Sequence, residues 1–399
     1  MSAGVRPCGC TDVRACGKVP GKSKLEVIVD GLVYQLQERG GISRLFSEIM
    51  PRMCDVDDSL KMLLLTQGRL RQPLPVHRSI THRAIPPMER YLKPKRIWKS
   101  AVPSVNRLIR QLWVGSGEGR IWHSTYYSVP NMWQGRSVAT LHDMIFERFP
   151  EFFKGRNADL FRETKRRCVE SAQAIICVSE TTRREVRNFY NLGNDRLHVV
   201  PNAYSDVFRR IEQFDQNEFP IGEPFLLYIG KRSKYKNFDL LIEAYASWTG
   251  KKDIALVLVG CRPWSDQEKK QLDRLNIHNR VHILSSVTDE ELCRLYNRAV
   301  AFVYPSLYEG FGIPLLEAMA CGCPIIASRI PSTLEVAGDY PIYFNPTDAE
   351  ELRASLETAL SEGRRPERLL LGLEKTASYS WDHTAKKTLK VYHAVKNHN

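Results

Sequence analysis

The sequence predicts an α/β protein with two doubly wound domains, each built around a parallel sheet. Short apolar, β-branched runs alternate with amphipathic stretches along most of the chain, which is typical of βα units. The alternation occurs as two series, separated by the polar, turn-rich segment Ile211–Pro224. The 399 residues are 43% hydrophobic and 26% charged, which supplies two globular cores and argues against a disordered or coiled-coil protein.

The strands and helices follow this alternation in chain order. The first series of predicted strands is Glu26–Asp30, Lys61–Thr66, Ile121–His123, Val138–His142, Ala174–Ser179 and His198–Val200. The second series is Phe225–Gly230, Ala255–Gly260, His282–Leu284, Val300–Pro305, Ile325–Ser328 and Ile342–Phe344. The amphipathic stretches predict helices at Leu160–Ser171, Thr181–Tyr190, Phe238–Ser247, Ser265–Leu275, Asp289–Asn297 and Ala349–Ser361.

The first residues and the cysteines bear on cellular location. Residues 1–23 predict a flexible tail without the apolar core of a secretory signal, and no apolar run is long enough to span a membrane. A chain with full cores does not need disulfides, so we expect reduced thiols and a cytoplasmic protein. Cys8, Cys10 and Cys16 could hold a metal ion, but they lack a second ligand pair at zinc spacing, so we expect a tail without one.

The net charge of +13 predicts an anionic partner: nucleic acid, an anionic membrane surface or a phosphorylated ligand. Charge alone does not choose among the three. In the segment Arg90–Lys99, basic residues are interleaved with aromatic ones, and this segment is the predicted membrane-binding patch. A solvated basic loop is the alternative interpretation of the same residues.

The strongest candidate site is Glu309–Glu317, with the sequence EGFGIPLLE, directly after the apolar strand AFVYP. The Gly-Phe-Gly part permits a tight turn, and proline suits the start of a short helix, predicted at Pro314–Cys321. Free N–H groups at that helix start would bind an anion between the two glutamates. Ligands of α/β sheets bind where strands end, so we interpret the pair as functional; a stabilising helix-end acid would explain Glu317 alone.

The basic loop Gly230–Asn237, with the sequence GKRSKYKN, is the second candidate. It lies between a predicted strand and a predicted helix, where a diphosphate would fit. Arg232 can donate to two phosphate oxygens, and Lys236 adds a compact positive charge. A solubilised turn is the alternative.

Two weaker candidates lie in the first half of the chain. His142 ends a predicted strand and could contact a substrate hydroxyl or carbonyl group, although a lone histidine is more often structural. Gly41 belongs to the glycine-rich turn Arg39–Arg44, which opens a helix whose N–H groups could meet a phosphate.

Together these motifs resemble the retaining glycosyltransferases of family 4, which have the GT-B fold. The resemblance covers most of the chain, from Val27 to Val395, and the Glu-x7-Glu motif is its most specific part. It is carried by DGLVYQLQERGGISRLFSEI, TLHDMIFERFPEFF, ICVSETTRREV, VVPNAYSDVF, YIGKRSKYKNFDLLIEAY, LVLVG, VTDEELCRLYNRAVAFVYPSLYEGFGIPLLEAMACGCPIIAS and SWDHTAKKTL.

The resemblance implies an active site in a cleft between two Rossmann-like domains. Residues 24–210 would form the N-terminal, acceptor-binding domain, and residues 211–380 the C-terminal domain that binds the nucleotide sugar. The final helix, residues 381–399, would pack back onto the first domain.

The resemblance also implies roles for individual residues. Glu309 would contact the donor sugar and stabilise its developing positive charge, and Glu317 would hold the ribose. Arg232 and Lys236 would neutralise the leaving diphosphate. Many members place arginine directly after the glycine of the basic loop, a position held here by Lys231, so Lys231 could take the role assigned to Arg232.

Further contacts are implied on both sides of the cleft. His142 would contact the donor sugar near its reacting carbon, and Gly41 would lie against the phosphates. Backbone N–H groups would reach the sugar and phosphate from Phe311, Gly312, Ile313, Pro314 and Leu315.

The predicted activity is transfer of a hexose from a nucleotide diphosphate sugar to a glycan or a lipid-linked acceptor, with retained anomeric configuration. GDP-mannose is the expected donor, since the first-half motifs resemble bacterial mannosyltransferases of surface polysaccharide, including O-antigen. No Asp-x-Asp metal clamp follows a strand here, so we expect no metal and no cofactor. The enzyme would be cytoplasmic, and peripheral on the inner face of the plasma membrane through Arg90–Lys99.

Three alternatives stay open at this point. A UDP-sugar could replace GDP-mannose in the same reaction. A nucleotide-sugar epimerase or a phosphorylase could have similar architecture, although no lysine for pyridoxal phosphate is evident. Outside enzymes, the charge would suit a nucleic-acid-binding protein, but two carboxylates at the strongest site would repel a phosphate backbone.

Overall fold

The structure, a computed structural model, describes residues 24–38, 40–85, 114–130, 132–212 and 221–397. Three sequence-based expectations therefore fall outside the described residues: the tail with Cys8, Cys10 and Cys16, the patch Arg90–Lys99, and residues 213–220 of the expected join between the domains.

Thirteen strands form two separate sheets in the described chain. Seven belong to the first sheet: β1 Leu25–Asp30, β2 Leu60–Gln67, β3 Ile80–Ile85, β4 Ile121–Ser124, β5 Arg136–Leu141, β6 Ala174–Cys177 and β7 Leu197–Val199. Six belong to the second sheet: β8 Phe225–Ile229, β9 Ala255–Val259, β10 Val281–Leu284, β11 Ala301–Tyr304, β12 Ile325–Ser328 and β13 Ile342–Phe344.

Helices connect these strands. In the first half they are α1 Val33–Leu36, α2 Gly41–Val56, α3 Ile145–Arg148, α4 Arg156–Ser171 and α5 Glu180–Tyr190. In the second half they are α6 Phe238–Ser247, α7 Asp266–Arg274, α8 Asp289–Arg298, α9 Ile313–Ala320, α10 Pro331–Ala337, α11 Ala349–Glu362, α12 Pro366–Ala377 and α13 Trp381–Asn397. Of the helices in the described ranges, none has both the length and the apolar character needed to cross a bilayer.

Both sheets are parallel and doubly wound, as predicted. The strand orders are β3-β2-β1-β4-β5-β6-β7 and β10-β9-β8-β11-β12-β13, so each order reverses beside the first strand of its sheet. Apolar clusters cover both faces of each sheet, which explains why nearly every strand reads as a continuous apolar run. In this architecture, ligands bind at the carboxyl ends of the two strands between which the strand order reverses. These strands are β1 and β4 in the first sheet and β8 and β11 in the second.

One strand escaped the sequence analysis. The strand β3, with the sequence ITHRAI, is buried only at its two end residues and lies at the edge of the first sheet. Because its four central residues are exposed, β3 lacks the continuous apolar run by which the other strands were recognised.

The helix α13 belongs to the core of the first domain although it follows the second domain in the chain. Trp381, Leu389 and Tyr392 of α13 are buried in one cluster with apolar residues of α2 and β1. The Tyr392 hydroxyl lies 2.5 Å from Nδ1 of the buried His123, and Thr384 donates to the Pro201 carbonyl at 2.8 Å. This helix therefore covers one face of the first sheet, although Thr384 lies 183 residues after its partner Pro201 in the chain.

Removing one apolar side chain from the contact between α13 and the rest of the first domain should destabilise that domain. Leu389→Ala is expected to lower the free energy of unfolding by about 2–5 kcal/mol, because it leaves a cavity at a side chain that is 4% exposed. Urea denaturation followed by tryptophan fluorescence would measure the loss. Lys390→Ala, at an exposed position of the same helix, is the matched control and should change the stability little.

Candidate active site

The two domains approach each other most tightly at Gly310, in the loop after β11. A Cβ atom added to Gly310 would lie 1.7 Å from the carbonyl oxygen of His142, in the loop after β5. The Gly310 carbonyl accepts hydrogen bonds from Ser179 Oγ at 2.6 Å and from Thr182 Oγ1 at 3.0 Å, both at the start of α5. Loops at the carboxyl ends of both sheets therefore touch, and the candidate site is built from both domains.

An ion pair lies beside this contact. Lys236 Nζ is 2.5 Å from Glu309 Oε1, and Ser306 Oγ donates to the same oxygen at 2.6 Å. The Lys236 ammonium lies 5.6 Å from the ring centres of Tyr235 and Tyr304. Burial disfavours its charge and is the largest single influence, but Glu309, Tyr235 and Asp143 together outweigh it and raise the pKa of Lys236. The sequence-predicted sugar-side acid and diphosphate-side cation are thus in contact.

The helix α9 begins next to Glu309. Gly312 precedes it with φ +115°, a left-handed conformation that suits glycine, and Pro314 occupies the first turn. Ile313 faces the first domain, since a Cβ on Gly41 would lie 3.1 Å from its Cδ1 atom. The N-termini of α2 and α9 therefore point at the same region from opposite sides of the cleft. The backbone from Phe311 through Leu315 forms this corner, as the resemblance implied by position.

Glu317 is buried in the second turn of α9, whereas the predicted helix Pro314–Cys321 would put it in the first turn. The helix begins at Ile313, one residue earlier than predicted, and Glu317 is 4% exposed. Its carboxylate accepts from Arg44 Nη1 at 3.0 Å and from the Tyr296 hydroxyl at 3.1 Å. Burial raises the pKa of Glu317 to about 7, and the nearby Arg44 charge opposes that rise.

Sequence reasoning missed Arg44 as a site residue. It lies in the first turn of α2, three residues after Gly41, and crosses to the second domain to contact Glu317 and Asp289. The sequence did contain a signal for this role. Residues three positions apart lie on the same face of a helix, so Arg44 lies on the same face as Gly41 at the glycine-rich start of α2.

His142 is buried and uncharged at neutral pH. Its Nε2 donates to the Thr125 carbonyl at 3.1 Å, which leaves Nδ1 without the proton. Burial lowers the pKa of His142 to about 4. The backbone of Asp143, which follows His142, is held in place by Lys165. This fully buried lysine donates to the Asp143 carbonyl at 2.7 Å and pairs with Glu147 at 2.8 Å.

Arg232 is engaged away from the Lys236–Glu309 pair, which differs from the diphosphate role assigned to it. Its guanidinium donates to Glu268 at 2.9 Å and to the carbonyls of Arg262 and Pro263, and it stacks 4.2 Å from the Trp264 ring centre. The side chain is 2% exposed, so these acceptors use its donors. The physical reason is that a buried arginine needs several acceptors, which the loop after β9 and the helix α7 supply.

Lys231 is exposed on the same loop. Among the described residues, the hydrogen bond of Lys231 is made by its backbone carbonyl, which accepts from the Tyr228 hydroxyl at 2.9 Å. Lys231 therefore has the free ammonium that the loop can offer to an anion, which favours the alternative left open by the sequence.

An aromatic cavity of about 710 Å³ opens on the first-domain side. It adjoins the ion pair, since Phe153 lies 6.2 Å from Tyr235 by ring centres and Lys234 Nζ lies 6.0 Å from the Phe152 ring. The aromatic side chains that line it are Tyr126, Tyr127, Phe146, Phe152, Phe153 and Phe161. Rings of this kind can pack on the apolar face of a sugar.

Family models match both domains. Residues 39–206 match Glycosyltransferase Family 4, and residues 209–370 match Glycosyl transferases group 1. The chain belongs to the family 4 glycosyltransferases. The predicted family is thereby confirmed.

Relatives and solved structures agree with this assignment. The chain is 30% identical to the O-antigen chain mannosyltransferase B of Escherichia coli over 71% of its own length and 77% of the relative's. It is 26% identical to the O-antigen chain mannosyltransferase RfbU of Salmonella typhimurium, over 60% of its own length and 65% of the relative's.

The structural match extends over nearly the whole chain. Sucrose-phosphate synthase from Thermosynechococcus elongatus matches with a TM-score of 0.74 and 18% identity, covering 93% of this chain and 99% of that one. Anabaena HepE in complex with UDP and glucose matches with a TM-score of 0.68 and 16% identity, covering 93% and 100%. These likenesses confirm the predicted GT-B fold.

A side chain at position 310 should block the domain contact and with it sugar transfer by this glycosyltransferase. Gly310→Ala places a methyl group on the His142 carbonyl, so the loop must shift and Glu309 with it; a displacement of about 1 Å is expected to lower kcat by about a hundredfold. Steady-state kinetics and a melting curve would check this together. Gly222→Ala is the control, because nothing lies within 4 Å of the added atom, and it should retain full activity.

Proposed function

We propose that this glycosyltransferase moves mannose from GDP-mannose to a glycan or lipid-linked acceptor, with retained configuration and without a metal ion. The observation that carries the proposal is the Lys236–Glu309 pair, held at 2.5 Å beside the start of α9 and against the first domain. It places a cation and a carboxylate at one point, as rupture of a sugar–phosphate bond requires.

The chemistry follows from how charge moves in that bond. When the bond from the sugar carbon to the diphosphate oxygen breaks, negative charge grows on the leaving phosphate and positive charge on the sugar ring. Lys236 and the N–H groups at the start of α9 stabilise the first charge, and Glu309 stabilises the second. These groups are already in position, so little reorganisation opposes the reaction.

The remaining donor contacts are assigned by position. Lys231 joins Lys236 at the diphosphate, while Arg232 holds the loop that follows β9 through Glu268 and Trp264. Gly41 lies against the phosphates from the start of α2. Glu317 accepts the ribose hydroxyls, and His142, kept neutral by burial, lines the donor-sugar pocket.

The choice of donor and acceptor rests on the relatives. Two relatives are named O-antigen mannosyltransferases, which supports mannose and a surface-polysaccharide acceptor. HepE in complex with UDP-glucose supports the alternative, a UDP-sugar donor. The acceptor sugar would pack on the aromatic cavity beside Phe153, and membrane docking through Arg90–Lys99 stays a prediction.

Removing the sugar-side carboxylate should abolish turnover while leaving the donor bound. With GDP-mannose, Glu309→Gln is expected to lower kcat by about 10²–10³, because the lost interaction grows in the transition state, and to change the donor Kd by less than about threefold. Radiolabelled mannose transfer and calorimetry would measure the two effects, in EDTA throughout.

The control for that substitution is Glu374→Gln, an exposed glutamate on α12. A Glu309→Gln enzyme with unchanged kcat would remove Glu309 from the mechanism. Binding and turnover of UDP-sugars in place of GDP-mannose would establish the alternative donor, and turnover lost in EDTA would contradict metal independence.

The basic loop can be tested by comparing nucleotides that differ by one phosphate. Lys231→Ala should weaken the binding of GDP roughly tenfold and the binding of GMP much less, because one charge-assisted hydrogen bond to the second phosphate is lost. Calorimetry measures both, with Lys252→Ala as the exposed control. Equal affinity of Lys231→Ala and the unaltered enzyme for GDP would return the diphosphate role to Arg232.

A further inference from the structure

Arg44 is the side chain by which the first domain reaches the proposed ribose site of the second. Its Nη1 lies 3.0 Å from Glu317 and its Nη2 2.5 Å from Asp289. Its guanidinium carbon also lies 5.9 Å from the Phe208 ring centre. Two carboxylates and an aromatic face thus hold the guanidinium in one orientation, although its side chain remains 26% exposed.

Glu317 needs such a partner because its surroundings disfavour its charge. The titratable and charged groups that face it are Arg44 from α2, Asp289, Cys293 and Tyr296 from α8, and Cys321 at the end of its own helix. Of these groups, Arg44 is the cation. Burial raises the pKa of Glu317 to about 7, so the carboxylate is close to neutralisation at physiological pH.

Ionisation decides what this carboxyl group can do for a ribose. An ionised carboxylate accepts on both oxygens, so it can bind two ribose hydroxyls while keeping its bonds from Arg44 and Tyr296. A protonated carboxyl has an O–H donor and loses part of that accepting capacity.

We propose that Arg44 is a positioning residue for the nucleotide: it keeps the Glu317 carboxylate ionised and oriented, so that binding of the ribose depends on contact between the two domains. The inference rests on the proposed ribose role of Glu317. Because Arg44 belongs to the first domain and Glu317 to the second, the pair forms only when the domains meet, and closure therefore raises the affinity of the nucleotide pocket.

The pH dependence of nucleotide affinity tests this in the full-length protein. For the unaltered enzyme, GDP affinity should fall as the pH drops through about 7, because Glu317 takes up a proton. Arg44→Gln should weaken the binding of GDP about tenfold at pH 7. It should also move the midpoint of the pH profile upward by about one pH unit or more, so that GDP affinity recovers in alkaline buffer. Calorimetry from pH 6 to pH 9 measures both.

Two further variants sharpen the result. Arg44→Lys retains a cation that can reach one carboxylate, so its midpoint should lie between those of the unaltered enzyme and Arg44→Gln. Arg52→Gln removes another arginine of α2, one that pairs with Glu48 and Asp382, and should leave GDP affinity and its midpoint unchanged.

The outcomes separate this inference from the function on which it rests. Unchanged GDP affinity in Glu317→Gln would refute the ribose role itself. Weakened binding in Glu317→Gln, together with an unshifted midpoint in both Arg44 variants, would overturn the role of Arg44 and leave the ribose role intact. An equal loss of affinity at every pH in Arg44→Gln would also overturn it, since that is what a purely structural residue gives.

Discussion

The approach of Gly310 to the His142 carbonyl is the constraint on which the rest of the site depends. A glycine alone leaves the room for this contact, because any side chain would overlap the carbonyl at 1.7 Å. The contact fixes the loop that carries Glu309 and, beyond it, the start of α9. Glu309 and the N–H groups at the start of α9, which the proposed chemistry uses, are therefore positioned by a close contact between two backbone segments.

Opposite charges then pair at two levels of the same cleft. Near the domain contact, Lys236 and Glu309 pair within the second domain; deeper along α9, Arg44 and Glu317 pair between the domains. Breaking a partly buried ion pair costs much free energy, although the intact pair contributes little to the net stability of the fold. Such pairs are better understood as prepared binding groups, whose charges are available to a ligand that carries both a diphosphate and a sugar.

The sequence predicted the architecture well and the site in part, for identifiable physical reasons. The interior strand β12 is buried at all four residues and has a clear apolar signal, and its predicted bounds were correct to the residue. The bounds of the short strand β13 were also correct. The edge strand β3 lacks that signal. The glutamates of the Glu-x7-Glu motif are fixed by local chain geometry, so their neighbourhood was accessible from the sequence.

Contacts between distant segments were not accessible in the same way. Arg232 was assigned to a ligand because the loop holds a single arginine, but its partner Glu268 lies 36 residues further along the chain. Arg44 is 273 residues from Glu317, and nothing in the local pattern of either one announces the other. Folding of the second domain brings Arg232 to Glu268, and packing of one domain against the other brings Arg44 to Glu317.

The return of α13 to the first domain has a consequence for synthesis of the protein. Domains emerging from a ribosome tend to fold in order from the N-terminus. Here the apolar face of α2 receives its cover from the last 17-residue helix, so the first domain cannot finish folding before the second has been made. The nascent chain therefore exposes the apolar face of α2 until α13 has been synthesised.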